Sequence, residues 1–319
     1  MIFRRVGIIF FWILLAAIVG LLLYVVIELR QPLSKSAAQM RQFKVMPGES
    51  KVTIGNNLQS QQFIRSGWLF ALYAKVKRAN LQSGVYDLSS SQTIGDIIAK
   101  MAKGDVLERS IVIKEGMRRE EIGAILEKYR LAQKDEFLAK TEDKEGYLFP
   151  DTYFIPVNTS LDKIIKLFED NFAKKTADVF TPCNMLHGTC NKEDVIILAS
   201  IVEREAKLDG DRAPIARVYL NRLNKGMKLE ADPTIQYAKG NWEKISNGDK
   251  KIDSFYNTYL YKGLPPGPIC NPGLKSIEAS INPPANDYLY FFHLKDGTTI
   301  FSQTKEEHEA NLEKYRSQM

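Results

Sequence analysis

From Val6 to Ile27 the chain reads VGIIFFWILLAAIVGLLLYVVI, 22 residues without a charge. Coiled as a helix, that run is roughly 33 Å long, enough for one bilayer crossing. A cleaved signal peptide carries a shorter apolar region of ~7–15 residues followed by a small-residue cleavage site, and neither is found here. No cysteine lies nearby for lipid attachment. The run is therefore expected to be an uncleaved single-pass anchor. Arg4 and Arg5 precede it and Arg30, Lys35 and Arg41 follow it, so the count of flanking positive charges does not set its orientation. A short tail, residues 1–5, is expected to stay cytoplasmic while the long body is translocated largely regardless of charge.

The remainder of the 319 residues is long enough for one or two domains with a sizeable core. Hydrophobic residues make up 45% and charged residues 26%, an ordinary globular balance. The net charge of +6 would suit an anionic partner. No Lys/Arg block is interleaved with aromatics, which favours a mildly basic surface over nucleic-acid binding. Of the three cysteines, Cys183 and Cys190 bracket a short polar loop and Cys270 stands apart. In an oxidising compartment the first two could pair, and two buried thiols are the equal alternative. His187 lies between them, but two cysteines and one histidine fall short of a closed zinc site.

Residues 28–42, with Pro32 and several Ser, Gln and Ala, read as a polar tether. Next comes a recurring unit. Phe43–Phe63 reads FKVMPGESKVTIGNNLQSQQF, a short strand, a Pro-Gly turn and a helix pattern. At an offset of 68 residues, Val45, Gly48, Ile54, Gly55 and Leu58 fall opposite Ile113, Gly116, Ile122, Gly123 and Leu126. Between the two, Gly84–Gly104 offers a third strand-then-helix unit with the same Ile-Gly pair at Ile94-Gly95. Such units suit a small α+β binding module, and a Gly at the turn permits a left-handed residue. Trp68, Tyr73 and Tyr86 could stack on sugar rings or simply fill the core.

Glu145–Pro156 (EGYLFPDTYFIP) reads as an aromatic-rich turn, and Leu161–Ala173 as a helix with Leu161, Ile164, Ile165, Leu167 and Phe168 on one side. Glu193–Lys207 and Pro214–Leu223 read as further helices, the second with Asp211 near its start. Tyr256–Gly273 (YNTYLYKGLPPGPICNPG) is a rigid loop, with five Pro and Gly residues in Gly263–Pro268 alone. A short helix over Ser276–Ile281, a hairpin of 287–293 with 298–302, and a last helix capped by Thr304 and Glu307 complete the chain.

Chemistry is narrowed by what is missing. Only His187, His293 and His308 are present, there is no HExxH, and no GxSxG, Walker-type or dinucleotide Gly-rich motif occurs. Carboxylate chemistry on a polymer outside the membrane remains, with no metal or organic cofactor called for. The helix over Glu193–Lys207 is apolar on nearly every face and ends in two acids, Glu203 and Glu205, flanking Arg204. Helical spacing aligns Glu205 with Leu198, Ile201 and Val202, and Glu203 with Ile196, Ala199 and Ser200. A carboxyl on the first face is desolvated and keeps its proton near neutral pH, the state a general acid needs. Glu203 beside small residues is a looser site, a helper or a plain surface acid.

Three runs, SIVEREA, VYLNRLNKGMKLEADPTIQY and YNTYLYKGLPPGPICNPG, resemble the signature runs of the endolytic murein transglycosylases (the YceG-like, or MltG, family). The resemblance also takes in the N-terminal anchor, the LysM-like repeats and EGYLFPDTY. It implies an anchor at residues 6–27, a LysM-like module at 43–110 and a mixed α+β catalytic domain at 111–319, on the bacterial inner membrane with the body extracytoplasmic. It implies a lyase that cuts nascent peptidoglycan strands between N-acetylmuramic acid and N-acetylglucosamine. The product has 1,6-anhydromuramoyl ends, and elongation stops there. The family's acid is the second glutamate of a Glu-basic-Glu motif, which falls on Glu205. Glu203, Asn221, Asp232, Thr234, Gln236, Tyr237, Tyr256, Asn257 and Thr258 are the implied substrate-binding positions, and peptidoglycan synthases the implied protein partners. Asn221 and Arg222 have a second reading, ordering the loop before Gly226. A non-catalytic glycan-binding scaffold and a muramidase using water, with Asp232 as second carboxylate, are the competing functions.

Overall fold

The computed structural model describes residues 2–36, 39–180 and 191–319. Cys183, His187 and Cys190, and with them the question of a disulfide, lie outside the described residues. The chain is a mixed α+β protein that divides into two compact units, Met1–Arg109 with Phe154–Asn158, and Ser110–Tyr153 with Thr159–Met319.

The first unit begins with α1 (Ile2–Arg30), whose Trp12–Arg30 stretch has a mean hydropathy of 2.6. By length and composition it can cross a membrane. Its last turns are not free. Val25 and Leu29 pack on the unit's core, and Glu28 pairs with Arg65 at 3.5 Å. Arg65 also donates to the carbonyls of Pro32 (3.1 Å) and Leu33 (3.4 Å), and the Ser34 N–H donates to the Ser90 carbonyl at 2.9 Å. The first part of the expected tether is thus fastened to the body, because one guanidinium satisfies carbonyls that would otherwise point into water.

β1 (Arg41–Val45) pairs antiparallel with β2 (Gly84–Leu88), setting Phe43 opposite Tyr86 on the buried face. Two strands are marginal alone, and α2 (Lys51–Ser60), α3 (Gly67–Val76) and α4 (Ile94–Lys103) cover them. Ser50, Ser66 and Thr93 cap these helices through their hydroxyls. The recurring glycines divide their work. Gly48 and Gly116 turn the chain at φ 82° and 79°. Gly55 instead lets α2 meet α3 backbone to backbone, since a Cβ there would lie 2.3 Å from the Gly67 carbonyl oxygen. Of the three aromatics weighed for sugar stacking, Tyr86 is core and bonds the Gln82 carbonyl, Tyr73 is half-buried, and Trp68 is 65% exposed.

β3 (Glu108–Val112) and β4 (Thr152–Pro156) form a second two-stranded sheet. The second half of the aromatic-rich turn is therefore a strand, β4, with Tyr153 and Ile155 buried in alternation. The boundary between the units falls within both strands, so the backbone passes from one unit to the other three times.

The second unit continues through α5 (Arg119–Lys128), α6 (Lys134–Lys140) and α7 (Leu161–Lys175). On α7 the buried stripe is Leu161, Ile164, Ile165, Phe168 and Phe172, and Leu167 points outward because it falls off that 3.6-residue face. The centre is α8 (Lys192–Glu205), on which every residue from Val195 to Val202 is buried. It packs against α9 (Arg212–Asn224), α10 (Asp232–Lys239) and α11 (Leu274–Ile281). Removing each large aliphatic side chain of α8 from water contributes about 1.5–3 kcal/mol, so this helix anchors the unit. The hairpin β5 (Tyr290–His293) and β6 (Thr299–Ser302) pairs Phe291 with Phe301, and α12 (Lys305–Lys314) follows with Thr304 as its cap.

Candidate active site

The buried run of α8 leaves its last turn, Glu203-Arg204-Glu205, at the edge of the core. Here the two acids part company. Glu203 is held from both sides: its Oε1 accepts from Arg212 at 3.2 Å and its Oε2 from the Gly273 N–H at 2.9 Å. Its side chain is 6% exposed, so it is no surface acid. Arg212 in turn donates to Ser276 (2.9 Å) and Asp209 (2.6 Å), and Lys275 pairs with the same Asp209. The cluster ties α8, α9 and α11 together at one point. A looser site was expected from the small neighbours of Glu203 on its own helix; the partners come from elements far off in sequence.

Glu205, two residues on, accepts one hydrogen bond among the described residues, from the Tyr219 hydroxyl at 2.9 Å. Tyr219 sits on α9, 2% exposed, with its ring edge-on to Phe291. Burial pushes the Glu205 carboxyl up to about 7, against the pull of the Tyr219 bond. The Asp232 carboxylate adds to the rise and the Arg222 guanidinium opposes it. The position at the C-terminal end of α8 acts in the same sense as burial, since a helix C-terminus disfavours a negative charge. Tyr219 itself is held well above the usual phenol range by burial and by Glu205. Glu205 is thus a carboxylic acid at mild pH and a carboxylate with a ready donor once its proton has gone.

Asp232 opens α10, with Pro233 preformed for the first turn. It is exposed and accepts from the Tyr259 hydroxyl at 2.6 Å. What fixes it is a set of polar side chains from the expected binding positions. Thr234 and Thr258 bond each other at 2.9 Å, Thr258 accepts from the Ala231 N–H at 3.0 Å, and Asn257 caps the carbonyls of Lys250 and Ile252. Thr234, Asn257 and Thr258 are fully buried. Gln236 donates to the carbonyls of Trp242 and Glu243, and Asn221 to those of Asn286 and Tyr288. Arg222 holds the carbonyls of Leu289 and Leu229 and pairs with Glu230, which takes a left-handed φ of 52° just before α10. Tyr237 and Tyr256 lie with ring centres 4.7 Å apart, tilted by 44°, and stay half-buried. The structure therefore brings Glu205, Asp232, Tyr237 and Tyr256 to accessible or half-accessible positions, and spends the side chains of Glu203, Asn221, Thr234, Gln236, Asn257 and Thr258 on fixing their surroundings.

The loop 264–270 is bolted to α8 from behind. Ser200 accepts from the Ile269 N–H at 3.0 Å, and the Cys270 thiol donates to the Ser200 carbonyl at 3.3 Å. Pro268 packs on Gly146, where a Cβ would lie 2.6 Å from the proline ring. Two residues of the site escaped sequence reasoning, Tyr219 and Tyr259. Both lie inside the quoted family runs, but only the folded chain brings their hydroxyls to the acids. Among the described residues no group of three or more His, Cys, Asp and Glu is gathered for a metal.

Residues 43–314 match the YceG-like family. The chain is 32% identical over 323 residues to a Bacillus subtilis (strain 168) protein named endolytic murein transglycosylase, covering 91% of this chain and 89% of that one. A Streptococcus pneumoniae (serotype 2, strain D39) protein of the same name is 30% identical over 312 residues, covering 83% of this chain. This chain spans 56% of that longer protein. Among solved structures, a putative YceG-like protein from Listeria monocytogenes superimposes with a TM-score of 0.56 at 32% identity, over 86% of this chain and all of that one.

Proposed function

Because the chain belongs to the YceG-like family, we propose that it is an endolytic murein transglycosylase, anchored by α1, that cuts glycan strands with Glu205 as its acid and base. The observation that carries the reading is a single carboxyl with its proton affinity raised to about 7 and a phenol donor at 2.9 Å. The bond cut is that between N-acetylmuramic acid and N-acetylglucosamine. Glu205 gives its proton to the glycosidic oxygen, and the bonding pair leaves with that oxygen as the muramoyl anomeric carbon gains oxocarbenium character. The Glu205 carboxylate, stabilised by Tyr219, then takes the proton of the muramoyl C6 hydroxyl. The C6 oxygen closes on the anomeric carbon to give a 1,6-anhydro ring and returns the acid to its starting state. No water is consumed, and the attack is favoured because nucleophile and electrophile belong to one sugar.

Asp232, Tyr237 and Tyr256 are the groups free to meet the strand, the first through charge and hydrogen bonds, the others through stacking. Glu203, Asn221, Thr234, Gln236, Asn257 and Thr258 act by holding the walls. The first unit is read as a LysM-like glycan-binding module, with the body on the outer side of the bacterial inner membrane and peptidoglycan synthases as neighbours.

The muramidase reading draws on the carboxylate of Asp232, exposed and braced by Tyr259, as a second acid that could activate water. Mass spectrometry of the products decides between the two. Anhydromuramoyl ends support the transglycosylase, reducing ends support the muramidase, and intact strands that stay bound support a scaffold.

A further inference from the structure

The second unit has a hollow of about 490 Å³ lined by Arg118, Glu120, Glu121, Ala124, Lys134 and Tyr237. It lies between the start of α5 and the end of α10. Two contacts join it to the site: the Arg204 guanidinium lies 3.9 Å from the Trp242 ring centre, and that of Arg118 lies 5.0 Å from the same ring. Arg204 precedes Glu205, and Tyr237 shares α10 with Asp232, whose eight residues span about 12 Å. The Arg204–Trp242–Arg118 contacts and α10 thus link the hollow to the elements that carry Glu205 and Asp232.

The charges at this hollow are only loosely paired, Arg118 with Glu121 and the adjacent Arg119 with Glu120, each at 3.7 Å. Arg118 is 8% exposed. Its Nε is buried without a hydrogen-bond partner among the described residues, the nearest acid oxygen being Glu121 Oε2 at 3.7 Å. That oxygen is already taken by the Arg118 N–H (2.9 Å) and the Trp242 indole N–H (3.1 Å). Glu120 is the complementary case: its Oε1 lies 3.7 Å from Arg119 Nε, beyond hydrogen-bond reach, and its Oε2 has no donor among the described residues. Buried polar groups of both signs left open cost about 1–3 kcal/mol each and mark a place where a ligand supplies the partners. A neutral sugar would not call for charges of both signs, and a polyanion would meet Glu120 and Glu121. A short peptide bearing both carboxylates and an ammonium satisfies all of them.

We propose that this hollow binds a zwitterionic peptide, its carboxylates on Arg118 and Lys134, its ammonium on Glu120, and its backbone over Tyr237. On the murein transglycosylase reading, on which the assignment of the source rests, this is the stem peptide carried by a muramoyl residue next to the cut. The hollow would make the enzyme select strands by their stems as well as by their sugars.

The test is calorimetric titration of the full-length protein in detergent with a synthetic muramyl pentapeptide, alongside cleavage rates on strands with stems intact and strands stripped by an amidase. Saturable binding is expected, weakened about tenfold in Arg118→Gln and in Lys134→Gln, with slower cleavage of intact strands and unchanged cleavage of stripped ones. Lys134 is half-buried and Gln retains the inner part of its stem, so its variant keeps the fold if Arg118→Gln does not. Absent binding, binding unchanged in Lys134→Gln, or equal losses on both substrates would overturn the proposal. Peptide binding by a protein that cuts no strand would leave the proposal standing and sink the transglycosylase reading; anhydro products without peptide binding would do the reverse.

Discussion

The Tyr219 hydroxyl donates to Glu205 Oε1 across 2.9 Å, and it does so against the effect of burial. Enclosure favours the neutral acid, whereas the phenol favours the carboxylate. Their balance sets the acid near neutral pH, where it can give a proton and take one back.

Tyr219→Phe removes the stabilising donor. The Glu205 carboxyl should rise further above 7, and the pH at which cleavage declines should move upward. The rate at neutral pH should fall by about tenfold to a hundredfold, as one hydrogen bond to a charged group is lost. A pH–rate profile unchanged from the wild type would show that the bond has no part in the reaction.

On the proposed mechanism, the reacting form of the unaltered protein is the protonated acid. Cleavage should therefore be half-lost near pH 7 and fall tenfold for each further unit, following the carboxyl at about 7. Initial rates on purified strands across neutral pH measure this directly. Undiminished rates well above pH 8 would assign the proton to another group.

Glu205→Gln should lower cleavage by at least 10²–10⁴-fold, the range for a general acid–base group. It should also stabilise the fold in alkaline buffer. An ordinary glutamate ionises near 4.5, and Glu205 near 7. Below 4.5 both folded and unfolded chains hold the proton. Between about 4.5 and 7 only the unfolded chain releases it, so stability drops as pH rises and the deficit persists above 7. Buried Glu145, raised to about 8 by burial and the nearby Glu120 carboxylate, adds a loss of the same sign. Melting scans should find the variant equal to wild type at pH 4 and higher-melting at pH 8.

Arg212→Met leaves Glu203 buried without its countercharge. A cost of about 3–5 kcal/mol is expected, with part recovered when Glu203→Gln is added. Denaturant unfolding of the two single variants and the double variant measures the coupling. Independent, additive effects would mean that the pair at 3.2 Å does not hold the helices.

What could be read beforehand follows the range of each signal. The burial of Glu205 is a local matter, because the residues at helical spacing before it, Leu198, Ile201 and Val202, share its own helix. The strand-turn-helix units likewise carry their signals within about twenty residues. From its own helix Glu203 reads as a loose or surface acid, because Arg212 and Gly273 reach it from other elements. α10 carries little signal in the sequence although Pro233 follows Asp232, since only eight residues leave little periodicity to count. The buried roles of Thr234, Asn257 and Thr258 depend on a meeting of two loops that no spacing in the chain announces.

The short return of 154–158 to the first unit bears on how this protein can be taken apart or recombined. Val157 donates to the Leu107 carbonyl, so a fragment starting at residue 110 would carry five residues made for a body it no longer has. The N-terminal unit expressed alone would lack them in turn. Exchange of parts between relatives by one genetic crossover would leave both products mismatched. Inheritance as a single piece follows from the path of the backbone, whatever the chemistry of either half.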